Sequence, residues 1–371
     1  MPRTVFRPFF FRNAGPTAVA PLLVLVLNLF GSALAQSQPE TFAIPAPKVD
    51  VLDFYGLRHV TPQLVTQALG TREGGPLPVS KGEAEARINQ LDRVVASALE
   101  AVQVEGIGTV LYIGIQEQDV PSYSLREPPG GADRLPASVI NAYSDFLDAR
   151  HAAEQRGEKV TEDLTRGYPI SSDPEMRRFQ GEFLQLARDN TDLLRKVLDQ
   201  SGDDFHREAA AYLVAYVPRK SDVVNDLGYA LRDGSADVRA NAIHTLTAFS
   251  ELALRNRESQ LRIPARWFVD MLHSLSWTDR TDAMRILLVM TSQRFETLQQ
   301  QLRDRALFPL GEMARWKVAE HARPAFILLA RAAGISEKEI DQMLADSWTG
   351  DREQREDAVQ SVLAKMPQKT P

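Results

Sequence analysis

The sequence predicts a mainly α chain, in which a small α+β domain precedes a stacked array of helices, an α-solenoid. Three observations point there. Between residues 49 and 118 the segments read strand, helix, helix, strand, strand. From residue 171 to residue 364, apolar residues recur at helical spacing in segment after segment, with short Gly, Asp, Ser or Pro loops between. Within that stretch Arg239, Ala242 and Leu246 recur as Arg280, Ala283 and Leu287, as Arg207, Ala210 and Val214, and as Arg355, Ala358 and Val362. An amphipathic helix pair cannot bury its stripe alone. About five such pairs are therefore expected to stack in series as a right-handed superhelix.

Composition narrows the class. The 371 residues include no cysteine, which excludes disulfides, thiolate metal sites and a cysteine nucleophile. With 44% hydrophobic and 25% charged residues the chain is globular in type. Its formal charge of -6 argues against a dedicated nucleic-acid binder. Residues 1–35 carry Arg3, Arg7 and Arg12, no acidic residue, an apolar run from Val19 to Phe30, and Gly31-Ser32-Ala33-Leu34-Ala35. That pattern is a secretory signal cut after Ala35, and the apolar run is short for a membrane span. Cleavage leaves 336 residues with a formal charge of -9 and no later run fit to span a bilayer. The expected destination is the bacterial periplasm. Residues 36–48, rich in Pro, Ala and Gln, read as a flexible leader.

The first domain spans 49–118. Val49 to Tyr55 reads as a strand, and Gly56-Leu57 as a turn. Thr61 sits at a helix N-cap with Pro62 at the first helical position; Leu64, Val65, Ala68 and Leu69 form the stripe, and Gly70 ends it. Ser80 and Glu83 have capping-box spacing, and Ile88, Leu91, Val95 and Leu99 predict one helix face. Ala101–Val104 and Val110–Ile115 read as strands around a Gly106–Gly108 turn. The step Gly-Leu-Arg-His-Val-Thr and the close Val-Leu-Tyr-Ile-Gly-Ile-Gln-Glu, in this order of elements, resemble a POTRA domain. The resemblance implies a module of the periplasm that adds a strand of a partner polypeptide to its sheet edge. Such domains often stand in tandem before a β-barrel; here one stands alone, and no run of barrel strands follows.

Residues 119–170 form a linker with one helix at 137–155, striped by Ile140, Tyr143, Phe146 and Leu147, and the charged stretch Glu154–Asp163 reads as a solvated face. The array occupies 171–364, with a tail at 365–371, and its periodicity predicts one continuous helix over 310–332. The stretches Asp-Val-Arg-Ala-Asn-Ala-Ile-His-Thr-Leu at 237–246 and Phe-His-Arg-Glu-Ala-Ala-Ala-Tyr-Leu at 205–213 are similar to HEAT repeats, which implies a scaffold for other macromolecules.

No catalytic, cofactor-binding or metal-ligating residue is expected. The histidines His59, His151, His206, His244, His273 and His321 form no His-x-x-x-His or His-Glu-x-x-His pair. A Gly-x-Ser-x-Gly elbow and a phosphate loop are missing from the sequence. Two stretches stand out as a candidate interaction surface. One is Trp277, Asp279 and Arg280, with Thr278 placed to cap a helix. The other is Glu312, Arg315, Trp316 and Lys317, the first three placed on one helical side. Packing between repeats is the simpler role for both tryptophans. On a continuous helix Glu312 and His321 stand about 13.5 Å apart, too far for a direct acid–base pair. The function expected is a non-enzymatic scaffold for protein partners, without cofactor. The alternatives are an exported enzyme or enzyme-activating subunit, favoured by a deep pocket with a carboxylate beside His273 or His321, and a module binding an envelope polymer, favoured by open faces on Trp277 and Trp316.

Overall fold

The computed structural model describes residues 47–256, 261–293, 295–348 and 351–367. The secretory segment and its cleavage position lie outside the described residues. Strand β1 (Val51–Tyr55) ends at Gly56, where φ is +82° and a Cβ would sit 1.9 Å from the Ile115 carbonyl oxygen, so glycine alone fits. The Thr61 hydroxyl accepts the Leu64 N–H at the start of α1 (Pro62–Leu69), and Gly70 closes that helix in the left-handed region. In the same way Ser80 accepts the Glu83 N–H to open α2 (Lys81–Ile88). A hairpin of β2 (Val94–Val104) and β3 (Gly108–Glu117) follows. Strand β3 is central, with β1 parallel on one side and β2 antiparallel on the other; Val51 lies opposite Val110, and Leu99 opposite Ile113. Buried Glu117 ties the two ends of the sheet domain together by accepting the N–H groups of Arg58 (2.7 Å), His59 (2.9 Å) and Val60 (3.0 Å).

The predicted helix through Leu99 is corrected: α2 stops at Ile88, and residues 94–104 are strand. Residues four apart, such as Val95 and Leu99, fit a period of two as well as one of 3.6. Asn89 caps the helix, Arg93 reverses the chain at φ +67°, and Val94, Val95, Val102 and Val104 favour extended backbone.

Alternation along the strands lets the sheet bury both faces. Leu52, Leu99, Leu111, Ile113 and Ile115 close a core with Val65, Leu69, Ala84 and Ile88 of α1 and α2. Tyr55, Val102, Val110 and Tyr112 belong instead to the large core of the helical array.

That array follows an extended stretch and α3 (Ala137–Gln155), which packs on α4 (Pro174–Asp189). Between them β4 (Glu162–Asp163) and β5 (Ile170–Ser171) pair as a short hairpin. The remaining helices are α5 (Thr191–Gln200), α6 (Asp204–Leu213), α7 (Val224–Ala230), α8 (Ala236–Arg255), α9 (Arg266–Met271), α10 (Trp277–Thr291), α11 (Glu296–Arg305), α12 (Leu307–Met313), α13 (Ala319–Ala332), α14 (Glu337–Ser347) and α15 (Arg352–Ala364). They stack as pairs α5–α6, α7–α8, α9–α10, α12–α13 and α14–α15, with α11 beside α13. The second helices, α6, α8, α10, α13 and α15, touch in series. The chain is thus a mainly α solenoid preceded by a small α+β domain.

The continuous helix expected over 310–332 is broken into α12 and α13. Trp316 is drawn under the sheet and the Lys317 N–H donates to Asp53 (2.6 Å), so residues 314–318 leave helical geometry to serve β1. With the helix broken, the assumed separation of Glu312 and His321 along one axis no longer applies.

Candidate functional site

Arginine at the fourth position of the second helices organises the array. Arg207 of α6 and Arg239 of α8 are buried and reach forward to an acid of the next repeat. Arg207 binds Asp233 through two 2.8 Å bonds, and Arg239 Nε lies 3.0 Å from Asp279 Oδ1. Each also reaches back six residues: Arg207 to the Ser201 carbonyl, Arg239 to that of Asp233, and Arg280 of α10 to that of Ser274. Each arginine therefore pins the turn before its own helix, and the first two lock that turn to the following pair. The fourth repeat carries Ala322 at this position, and the fifth carries Arg355, which donates to the Lys317 carbonyl.

The sheet docks where the α9–α10 and α12–α13 turns lie. Tyr112 stacks on Trp277 (4.9 Å between ring centroids, 19° between planes), contacts Trp316 (5.1 Å), and hydrogen-bonds His321 Nδ1 through its hydroxyl. The Tyr55 hydroxyl donates to the Leu275 carbonyl (2.8 Å), and the Arg280 guanidinium lies 4.5 Å above the Tyr55 ring. Three carboxylates seal the contact. Glu100 of β2 accepts the N–H groups of Trp277 (2.8 Å) and Thr278 (3.1 Å), where the α10 dipole favours a negative charge. Asp53 of β1 accepts from Lys317, and Glu312 of α12 accepts the Gly56 N–H (2.8 Å). Burial raises the Asp53 carboxyl to about 6, against the hydrogen bond from Lys317. Burial likewise raises Glu312 to about 7, against the nearby Arg280 charge. It lowers His321 to about 4, so that imidazole is neutral.

The linker is a strap rather than a loose tether. From Tyr123 to Leu135 it crosses one inter-helix turn after another. The Tyr123 hydroxyl donates to the Leu231 carbonyl, the Arg126 N–H to that of Arg232, and the Gly131 N–H to that of Gln200, while the Leu135 N–H reaches His206 Nδ1. Arg126 also places Nη2 2.5 Å from Asp233, so that buried carboxylate serves two arginines. Burial opposes its charge, but hydrogen bonds from Arg207 and Arg126 outweigh it and hold Asp233 below the usual carboxylate range.

Of the seven residues singled out in the sequence, Trp277, Arg280, Glu312, Trp316 and Lys317 meet at the sheet–array joint, with both indole rings buried. Lys317 adds an ion pair with Glu73 (2.7 Å). Asp279 turns to Arg239 and Ser274, and Arg315 to Glu356 (2.8 Å). Thr278 is not the cap: Ser276 accepts the Asp279 N–H, and the Thr278 hydroxyl donates to Glu100. The sequence reading missed Asp53, Glu100, Tyr112 and Arg126 as joint or strap residues. The signal for two of them was a single acid inside each apolar strand. A cavity of about 20 Å³ lies beside Arg280, His273 and Glu312 and has room for one water, not a substrate.

The outer edges of the sheet differ. Beside β1, the stretch 74–77 pairs with 47–49, Glu73 accepts the Leu52 N–H, and Asp53 accepts that of Phe54. Along β2, Glu85 accepts the Leu99 N–H (2.8 Å), and among the described residues no group meets the outward N–H of Ala101 or Gln103. Among the described residues no group of three His, Asp or Glu side chains is placed to hold a metal ion, and no helix is long and apolar enough to cross a membrane. Compared with family models, curated proteins and solved structures, the chain matches none of them.

Proposed function

We propose that the chain is an exported, non-enzymatic scaffold of the bacterial periplasm, and that a partner polypeptide joins it as a fourth strand beside β2. The observation that carries this is the edge at Ala101–Val104, whose outward backbone groups are open while β1 is covered and the joint aromatics are buried. Strand addition draws its affinity from such main-chain groups. The order strand, helix, helix, strand, strand with β3 central supports the POTRA-like reading of the first domain. The recurring buried arginines support the HEAT-like reading of the array. Those two likenesses support a role in assembling or maintaining the cell envelope. The polymer-binding alternative needs open indole faces, and Trp277 and Trp316 offer none.

A photocrosslinking residue in place of Gln103 tests the reading. In the native host it is expected to give one discrete adduct, and Ala101→Pro, which removes an outward N–H that β3 does not use, is expected to abolish it with helical content unchanged. Equal adducts from Gln103 and from Gln300, an exposed residue of α11, would overturn it. Export is checked on the same material: the mature chain should begin at Gln36 and fractionate with the periplasm.

A further inference from the structure

In an antiparallel ladder alternate residues turn both backbone groups toward the partner strand and the next turn both away. Thr109 gives its carbonyl to the Asp50 N–H (2.8 Å), on the β1 side, so its opposite number Gln103 faces outward from the sheet. Ala101, Leu99 and Ser97, opposite Leu111, Ile113 and Ile115, share that orientation. Helix α2 lies against this edge and supplies groups to it at one end. The Glu85 carboxylate accepts the Leu99 N–H, with Lys81 Nζ 3.7 Å from the same oxygen. The Ser97 hydroxyl lies 2.7 Å from Asn89 Oδ1 and 3.2 Å from the Glu85 carbonyl oxygen, both within reach of its one proton. The edge is thus closed at Leu99 and open from Ala101 onward.

We propose that Glu85 is a gate on the strand-adding edge: its carboxylate takes the place of an incoming strand's carbonyl at Leu99, and a partner pairs along the whole of β2 only after Glu85 swings aside. This rests on the strand-addition reading above. A charged acceptor makes a hydrogen bond roughly twice as strong as a neutral carbonyl does, so a generic strand does not displace it without compensation elsewhere. The open remainder offers an invading strand the outward groups of Ala101 and Gln103 as a foothold, and pairing extends along β2 once Glu85 yields Leu99. Charged side chains on edge strands guard against indiscriminate pairing in this way, and here the guard comes from the neighbouring helix.

The test uses the mature chain, residues 36–371, as wild type, Glu85→Ala and Glu85→Gln. In amide hydrogen exchange the wild type should protect Leu99 and leave Ala101 and Gln103 fast. Glu85→Ala should speed Leu99 at least tenfold without changing Ala98, Glu100 or Val102, and Glu85→Gln, whose amide oxygen still accepts, should fall between. The same proteins are titrated with a fluorescein-labelled Lys-Thr-Val-Thr-Val-Thr-Lys peptide. At least tenfold tighter binding by Glu85→Ala supports the gate. Unchanged exchange at Leu99, or equal and measurable binding by wild type and Glu85→Ala, overturns the gate and leaves strand addition standing. Binding by none of the three, with Leu99 opened as expected, overturns both. Glu85→Gln serves as the conservative variant if Glu85→Ala does not fold.

Discussion

Asp233 shows how much one side chain holds. It is wholly buried, and it answers Arg207 from its own array and Arg126 from the strap. A buried pair adds little net stability over an apolar substitute, but removing one partner leaves uncompensated charge. Asp233→Ala strands two guanidinium groups at once and is expected to cost about 3–5 kcal/mol, while Asp233→Asn costs less because it still accepts. Urea denaturation at pH 7 measures this; a loss under about 1 kcal/mol for the alanine variant would show that these arginine–aspartate pairs do not hold the array together. The arginines were legible because they recur on one helix position. Their pairing with acids was not: Asp233 lies 26 residues after Arg207, and Asp279 lies 40 after Arg239, so no fixed spacing announces the pairs. Arg126, between Leu125 and Glu127 in a proline-broken segment, carries no periodic signal at all.

At the scale of elements, strands β1 and β3 and the long α3 and α8 were readable because turn residues and periodicity agreed. The failures came where tertiary contacts decide. Strand β2 was mistaken for helix over the residues where both periods fit, and the α12–α13 break is set by Asp53, more than 260 residues away in sequence. Strand β3 offers a direct check on the docking. A Cβ at Gly114 would lie 2.4 Å from the Leu275 carbonyl oxygen and 2.6 Å from the Tyr55 ring. Gly114→Ala should therefore push the sheet off the α9–α10 turn, at an overpacking cost of about 1–3 kcal/mol. Because Trp277 and Trp316 both line that contact, their fluorescence should shift to the red in the folded variant. An unshifted spectrum with wild-type stability would mean the sheet tolerates a looser seat than the geometry implies.

For the whole molecule, the joint and strap bind two unlike architectures into one body, and the groups chosen for the joint make that union depend on pH. Asp53 has its folded value raised by burial from 3.8 to about 6. Its contribution to stability is therefore complete below about pH 4 and is lost as pH climbs through 6, because the unfolded chain ionises first. Glu312, raised to about 7, acts in the same sense. His321, lowered from 6.5 to about 4, acts in the opposite one: its contribution is complete above pH 6.5 and is lost as pH falls toward 4. Opposed titrations blur the total curve, so the decisive quantity is a difference between two proteins. Asparagine at position 53 can still accept the Lys317 N–H but cannot ionise. Asp53→Asn should gain on wild type between about pH 4 and pH 6, most steeply near pH 5, and the gap should level off above about pH 7, when unfolding midpoints are compared at each pH. A gap that stays constant over that range would mean that Asp53 titrates as in water and that the joint is hydrated. A gap that widens as predicted would mean the sheet is seated dry on the array, with the proton on Asp53 part of what holds it there.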